Sequence, residues 1–229
     1  MPFSLVSGLP RLTHIAAFLG TIIAFSVICL AGKSFVKPVA QPAKTYPAHD
    51  EHPTEHVTVA ADPYDMADKA QIFSVKYQEQ GYLPIFLIVT NDGNQPVSLT
   101  DMSAQLVTVN RTKLSPATVD DLYRRLSRPA RSDVPSPLPF PRKKVKGAVS
   151  PQALEEISSS QFSAKAVEPH GTQSGFLFFD IEGISTPLAG ARFYLNRVKD
   201  VNGNELIYFE IPMEKYLTAP SGKSGTPNP

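Results

Sequence analysis

The chain has 229 residues, 42% of them hydrophobic and 19% charged, with 22 Lys plus Arg against 21 Asp plus Glu for a net charge of +1. That balance excludes wholesale disorder, a globally basic nucleic-acid binder and an acidic solvating protein. Cys29 stands alone, so neither an intramolecular disulfide framework nor a cysteine-based zinc ribbon is available, while 22 prolines are about twice the usual share.

Residues 12–32 (LTHIAAFLGTIIAFSVICLAG) hold no Asp, Glu, Lys or Arg. As a helix they would cover roughly 31 Å, enough for a bilayer core of about 30 Å. The segment suits a signal-anchor or a secretory signal cleaved near Ala31; its apolar run from Ile15 to Ala31 exceeds the usual signal core, which favours retention. Ile28 stands where a lipoprotein signal wants a small residue before Cys29. Lys33, Lys37 and Lys44 lie just after the segment and, by the positive-inside bias, argue against export of the C-terminal portion. Export is expected all the same, from the order of apolar segment, Pro-rich stretch and β-rich domain.

Residues 33–67 carry Pro38, Pro42, Pro47, Pro53 and Pro63 without apolar periodicity and read as a semi-extended linker. Within it His49, His52 and His56 lie beside Asp50, Glu51 and Glu55, ligand types that bind zinc or copper. Pro53 prevents a helix from aligning His52 with His56, so metal handling here would be of low affinity, and a solvated linker is the plainer reading.

From residue 71 the pattern turns to β. QIFSVKY (71–77) alternates, with Phe73, Val75 and Tyr77 on one face; YLPIFLIVT (82–90) is continuously apolar; Asp92-Gly93 marks a turn; and a strand region runs from Val97 to Val109. GFLFFDI (175–181) is a second apolar run, and ARFYLNRV (191–198) and NELIYFEI (204–211) flank the hairpin signal Asn202-Gly203, with Ile207, Phe209 and Ile211 on one face. Short strands with regular turns predict a mainly β fold: an antiparallel Ig-like sandwich over 68–217, preceded by an N-terminal apolar helix and interrupted by a helical, Pro-rich basic insertion at 111–161. Residues 218–229 read as a disordered tail.

PIFLIVTNDGNQPVSL, with VEPHGTQSGFLFFDI later in the chain, resembles the exported Ig-like domains of bacterial cell-envelope proteins. The likeness lies in turns and core strands across about half the chain. It implies a fold and a compartment, and carries over no functional residue.

Inside the insertion, Ser115-Pro116 and Ser150-Pro151 each offer a helix start, predicting helices at about 116–127 and 151–159. The first puts Val119, Leu122, Tyr123 and Leu126 on one face, and the second Leu154 and Ile157. Residues 111–146 hold ten basic residues against three acidic ones (+7), so the rest of the chain carries −6. Arg124, Arg125, Arg128, Arg131, Arg142, Lys143, Lys144 and Lys146 are the candidates for an anionic partner, whether lipid, envelope polymer or acidic protein. Within the β region His170 is the lone histidine, and no G-x-S-x-G elbow or phosphate-cradling glycine loop occurs. The expectation is a non-enzymatic interaction or structural module without a cofactor, held at the cell membrane through residues 12–32.

Overall fold

The computed structural model describes residues 34–127 and 149–219; the apolar segment 12–32, the arm residues 128–148 and the tail from 220 lie outside them. Among the described residues the fold is mainly β and antiparallel. One four-stranded sheet runs β1 (His49–His52), β2 (Val57–Pro63), β3 (Tyr82–Asn91) and β8 (Gly171–Asp180) side by side in that order. A second contains β10 (Phe209–Pro212), β9 (Arg192–Asn196), β5 (Ser103–Val107) and β6 (Lys113–Leu114), and a short ladder joins β4 (Val97–Ser98) to β7 (Ala166–Val167).

The continuous apolar run of β3 has a geometric cause. All ten of its residues are buried, because both faces of the first sheet are covered. Alternation sends Leu83, Ile85, Leu87 and Val89 into a cluster shared with Leu106, Phe193, Leu195, Phe209 and Ile211 of the second sheet. It sends Tyr82, Phe86 and Ile88 the other way, into a cluster with Tyr46, Tyr64, Tyr77, Leu122 and Ile157. Full burial of such side chains stabilises by about 1.5–3 kcal/mol each. β3 and β8 pair over ten positions, from Tyr82↔Asp180 to Asn91↔Gly171, so Phe176 and Phe178 of β8 join the outer cluster while Phe179 joins the inner one.

The expected linker at 33–67 belongs to the fold instead. β2 is buried at every position and pairs with β3 from Val57↔Asn91 to Pro63↔Ile85, and Ala43 and Tyr46 are buried before it. Phe35 stacks on Phe73, with ring centroids 5.5 Å apart. Small apolar residues flanked by prolines and histidines hid this strand.

Residues 71–77 are not a strand. A one-turn helix α1 (Ala67–Ala70) precedes them and a 3-10 turn (Gln78–Gln80) comes after, closed by Gly81 at φ +76°. β9 and β10 pair as expected, but Phe209↔Leu195 opens the ladder after a long loop, so Asn202-Gly203 tips that loop and Ile207 is exposed. Asp200 shapes the tip, its carboxylate accepting the backbone N–H of Asn202 and of Asn204, each at 2.8 Å.

Helix α2 (Val119–Leu126) starts later than expected. Thr118 caps it reciprocally with Asp121, and only Leu122 is buried. Ser115-Pro116 serves the sheet: Pro116 bridges Phe179, and the Ala117 N–H donates to the Phe178 carbonyl at 2.7 Å. Helix α3 (Pro151–Ser160) is capped by Ser150, as its sequence announces, but buries Ala153, Glu156, Ile157 and Ser160 while Leu154 is exposed. A last turn, α4 (Glu214–Leu217), comes after β10.

The outer edge of β8 is closed by chain rather than by solvent. Besides Ala117, the Phe162 N–H donates to the Phe176 carbonyl at 3.0 Å, and the crossing is tight at Gly175, where a Cβ would lie 2.4 Å from the Phe162 Cα. Gly175→Ala must push backbone from backbone. It is expected to destabilise the fold by about 1–3 kcal/mol, read as a lower denaturant midpoint at unchanged slope.

Candidate binding groove

Between β3 and the irregular stretch 64–79 lies a groove of about 410 Å³. Tyr64, Phe73, Val75, Tyr77 and Pro84 supply most of its apolar lining, Ala67 and Ala70 flank it on α1, and Gln78 and the Lys76–Glu79 ion pair (2.8 Å) stand at its rim. Phe73 is central, with its ring centroid 6.0 Å from Tyr64, 5.1 Å from Tyr77 and 4.9 Å from Phe176. Offset and edge-on arrangements of this kind hold aromatic side chains in fixed poses. The expectation that Phe73, Val75 and Tyr77 share a side is met by the groove they line, although the backbone is no strand.

Irregular backbone keeps its shape only if its polar groups are satisfied, and two side chains do this from α3 and α2. Glu156, 1% exposed, accepts the Ser74 N–H at 2.6 Å, the Ser74 hydroxyl at 2.5 Å and the Val75 N–H at 3.2 Å. Burial, and then the neighbouring Glu156 carboxylate, push the Tyr77 phenol upward. Arg125 donates to the Gln80 carbonyl at 3.3 Å, pairs with Asp180 and Glu182, and lies 4.8 Å over the Tyr82 ring. Gln78 donates to the Tyr64 carbonyl at 3.1 Å.

α1 also carries a buried ion pair. Lys69 donates to Asp62 at 2.6 Å and to the Pro63 carbonyl at 3.2 Å, with the Tyr64 and Tyr216 rings 5.2 and 4.8 Å from its ammonium. Tyr216 donates to Asp65 at 2.6 Å, tying α4 to the same place. Burial drives the Asp62 carboxyl above the usual carboxylate range, against the pull of the Lys69 ammonium.

The candidates read from sequence fare differently. His49, His52 and His56 do not converge, and among the described residues no group of three His, Cys, Asp or Glu is placed to hold a metal. His49 donates to the Tyr46 carbonyl at 2.6 Å. His52 stacks on Phe209 with centroids 4.0 Å apart, 3.5 Å from Asp50 and 3.9 Å from Glu55, while His56 turns the chain at φ +56°. Of the basic set, Arg125 is committed to Asp180 and Glu182 and is not free for an anionic partner; Arg124 is exposed, 3.8 Å from Asp121. Both line a second, polar cleft of about 390 Å³ with Tyr82, Ser115 and Pro116. Arg128, Arg131, Arg142, Lys143, Lys144 and Lys146 lie outside the described residues.

Sequence reasoning missed Glu156, read as a helix-start acid. With Ile157 facing inward, Ala153, Glu156 and Ser160 are its neighbours at helical spacing, and that placement was the available signal.

Fold and groove together define a mainly antiparallel β protein with an aromatic-lined cleft beside its fully buried central strand. No family model matches the sequence, and no curated protein does. The chain is similar to the 2.2 Å crystal structure of a conserved hypothetical protein from Bacillus anthracis, at 14% identity over 80% of this chain and 99% of that one, with a TM-score of 0.29. A likeness of that size bears on neither fold nor function.

Lys69→Met leaves the Asp62 carboxylate buried and unpaired and is expected to cost about 3–5 kcal/mol at neutral pH. A carboxyl that binds its proton more tightly folded than unfolded costs stability while ionised, and the cost fades as it protonates. The thermal-midpoint gap between the native chain and Lys69→Met therefore narrows as pH falls from neutral toward about 4, and Asp62→Asn combined with Lys69→Met closes much of it.

Proposed function

We propose that this chain is a non-enzymatic, membrane-tethered module of Ig-like type, with its C-terminal domain exported, that holds a protein partner by an apolar segment in the groove. The observation that carries the reading is the groove itself. It is concave, lined by aromatic side chains with few polar groups, and falls within the roughly 300–1,000 Å³ range of ligand sites. Two antiparallel four-stranded sheets on one apolar cluster support the Ig-like assignment.

The tether in this reading is residues 12–32, by their length and lack of charge. Only Lys33 and Ser34 separate that run from Phe35, whose ring is packed into the domain. The module therefore has no long spacer, and its partner must come to the membrane surface.

A photo-crosslinking residue placed at Gln78, on the groove rim, is expected to give a discrete protein adduct in membrane fractions, whereas one at Gln105 in the second sheet gives none. Equal labelling from both positions, or none from either, rejects the groove as the partner site. Deleting residues 12–32 is expected to move the chain from the carbonate-resistant membrane pellet to the soluble fraction.

A further inference from the structure

We propose that the groove is occupied in cis by the chain's own proline-rich segment 134–141 (VPSPLPFP), which an external partner must displace. This rests on the reading of the groove as a binding site and names what regulates it.

The placement of the segment's two roots carries the argument. The 21 residues 128–148 leave after α2 and return one residue before Ser150 caps α3. Both helices hold the stretch that lines the groove. Arg125, two residues before the end of α2 at Ser127, donates to the Gln80 carbonyl at 3.3 Å, and Glu156 of α3 accepts the Ser74 and Val75 N–H groups. Glu156 stands six residues beyond Ser150, about 9 Å along the helix axis. The segment is therefore tethered on both sides of residues 74–80, and 21 residues of chain far exceed the reach required.

Chemistry selects the part of the arm that fits. Proline-rich chain is pre-extended, loses little entropy on docking, and packs its rings on aromatic side chains. Within 128–148, Val134, Pro135, Pro137, Leu138, Pro139 and Phe140 form an apolar stretch bounded by Asp133 and by Arg142-Lys143-Lys144. The tail from 220, PSGKSGTPNP, has no large apolar side chain and does not match the aromatic lining. Tethering supplies an effective concentration on the order of 1 mM, so a segment with an intrinsic Kd of about 0.1 mM fills its site roughly ten to one.

The test compares the full chain with a full-length variant in which residues 128–148 are replaced by 21 Gly and Ser residues. A synthetic peptide of residues 130–145 is titrated into each, with a second peptide carrying Ala for Pro135, Pro137, Pro139 and Pro141. The expected result is binding to the Gly/Ser chain with shifted amide signals at residues 72–80, about tenfold weaker binding to the native chain, and loss of binding by the Ala peptide. In the same pair, amide exchange at residues 72–80 is expected to be faster in the Gly/Ser chain.

Equal binding of the peptide to both chains, no binding at 1 mM, or unchanged exchange overturns cis occupancy. A concentration-dependent dimer of the native chain that disappears in the Gly/Ser chain overturns it too, by assigning the segment to a second copy. If the peptide fails while crosslinking from Gln78 still gives its adduct, the groove remains a partner site and only self-occupancy is lost.

Discussion

The β3–β8 ladder is the constraint on which the rest of the molecule depends. Ten consecutive pairs set the register, and each residue of β3 is thereby committed to one of two cores. A slip of one position would exchange the two sets, sending Phe86 and Ile88 against the second sheet and Leu83, Ile85 and Leu87 toward the helices. Packing matched on both faces forbids that slip.

Because the first sheet is covered on its outer face, that layer needs little regular structure of its own. It is made of Phe35–Ala48, the stretch 64–81, α2 and α3, held by aromatic packing and by a few polar clasps. Glu156 is the most demanding of these. Taking a carboxylate out of water is costly, and three donors from Ser74 and Val75 compensate, as charge-assisted hydrogen bonds are about twice as strong as neutral ones. The same carboxylate holds Val75, and with it the neighbouring Phe73 and Tyr77, at the groove. Rigidity of the sheet is thereby passed to a loop, the usual way in which folds present recognition surfaces.

Much of the scaffold was legible in the residues. The two apolar runs became β3 and β8, and Ser150-Pro151 capped α3. What local pattern could not show was the second covering of the sheet. A doubly buried strand and a sandwich strand both read as uninterrupted apolar sequence, and the helices that make the difference arrive about 30 and 60 residues after β3 ends. β2 was hidden because Val-Thr-Val-Ala-Ala is short and lies among prolines and histidines that elsewhere mark linkers. The 71–77 stretch alternates like a strand yet finds no neighbour to pair with, since β8 takes the place beside β3. Among the site residues, charge alone could not separate Arg124, which is exposed, from Arg125, which is spent on Asp180, Glu182 and the face of Tyr82.

The two stitches on the outer edge of β8 lie on opposite sides of the 128–148 arm: Ala117 before it and Phe162 after it. β1 to β6 likewise precede the arm, and β7 to β10 come after it. Each sheet thus draws strands from both halves, β3 with β8 in one and β5 with β9 in the other. Severing the arm cuts no ladder and releases neither edge stitch. The chain is in effect two interleaved fragments sharing one fold, a natural split point at which separately made halves have every contact they need to reassemble.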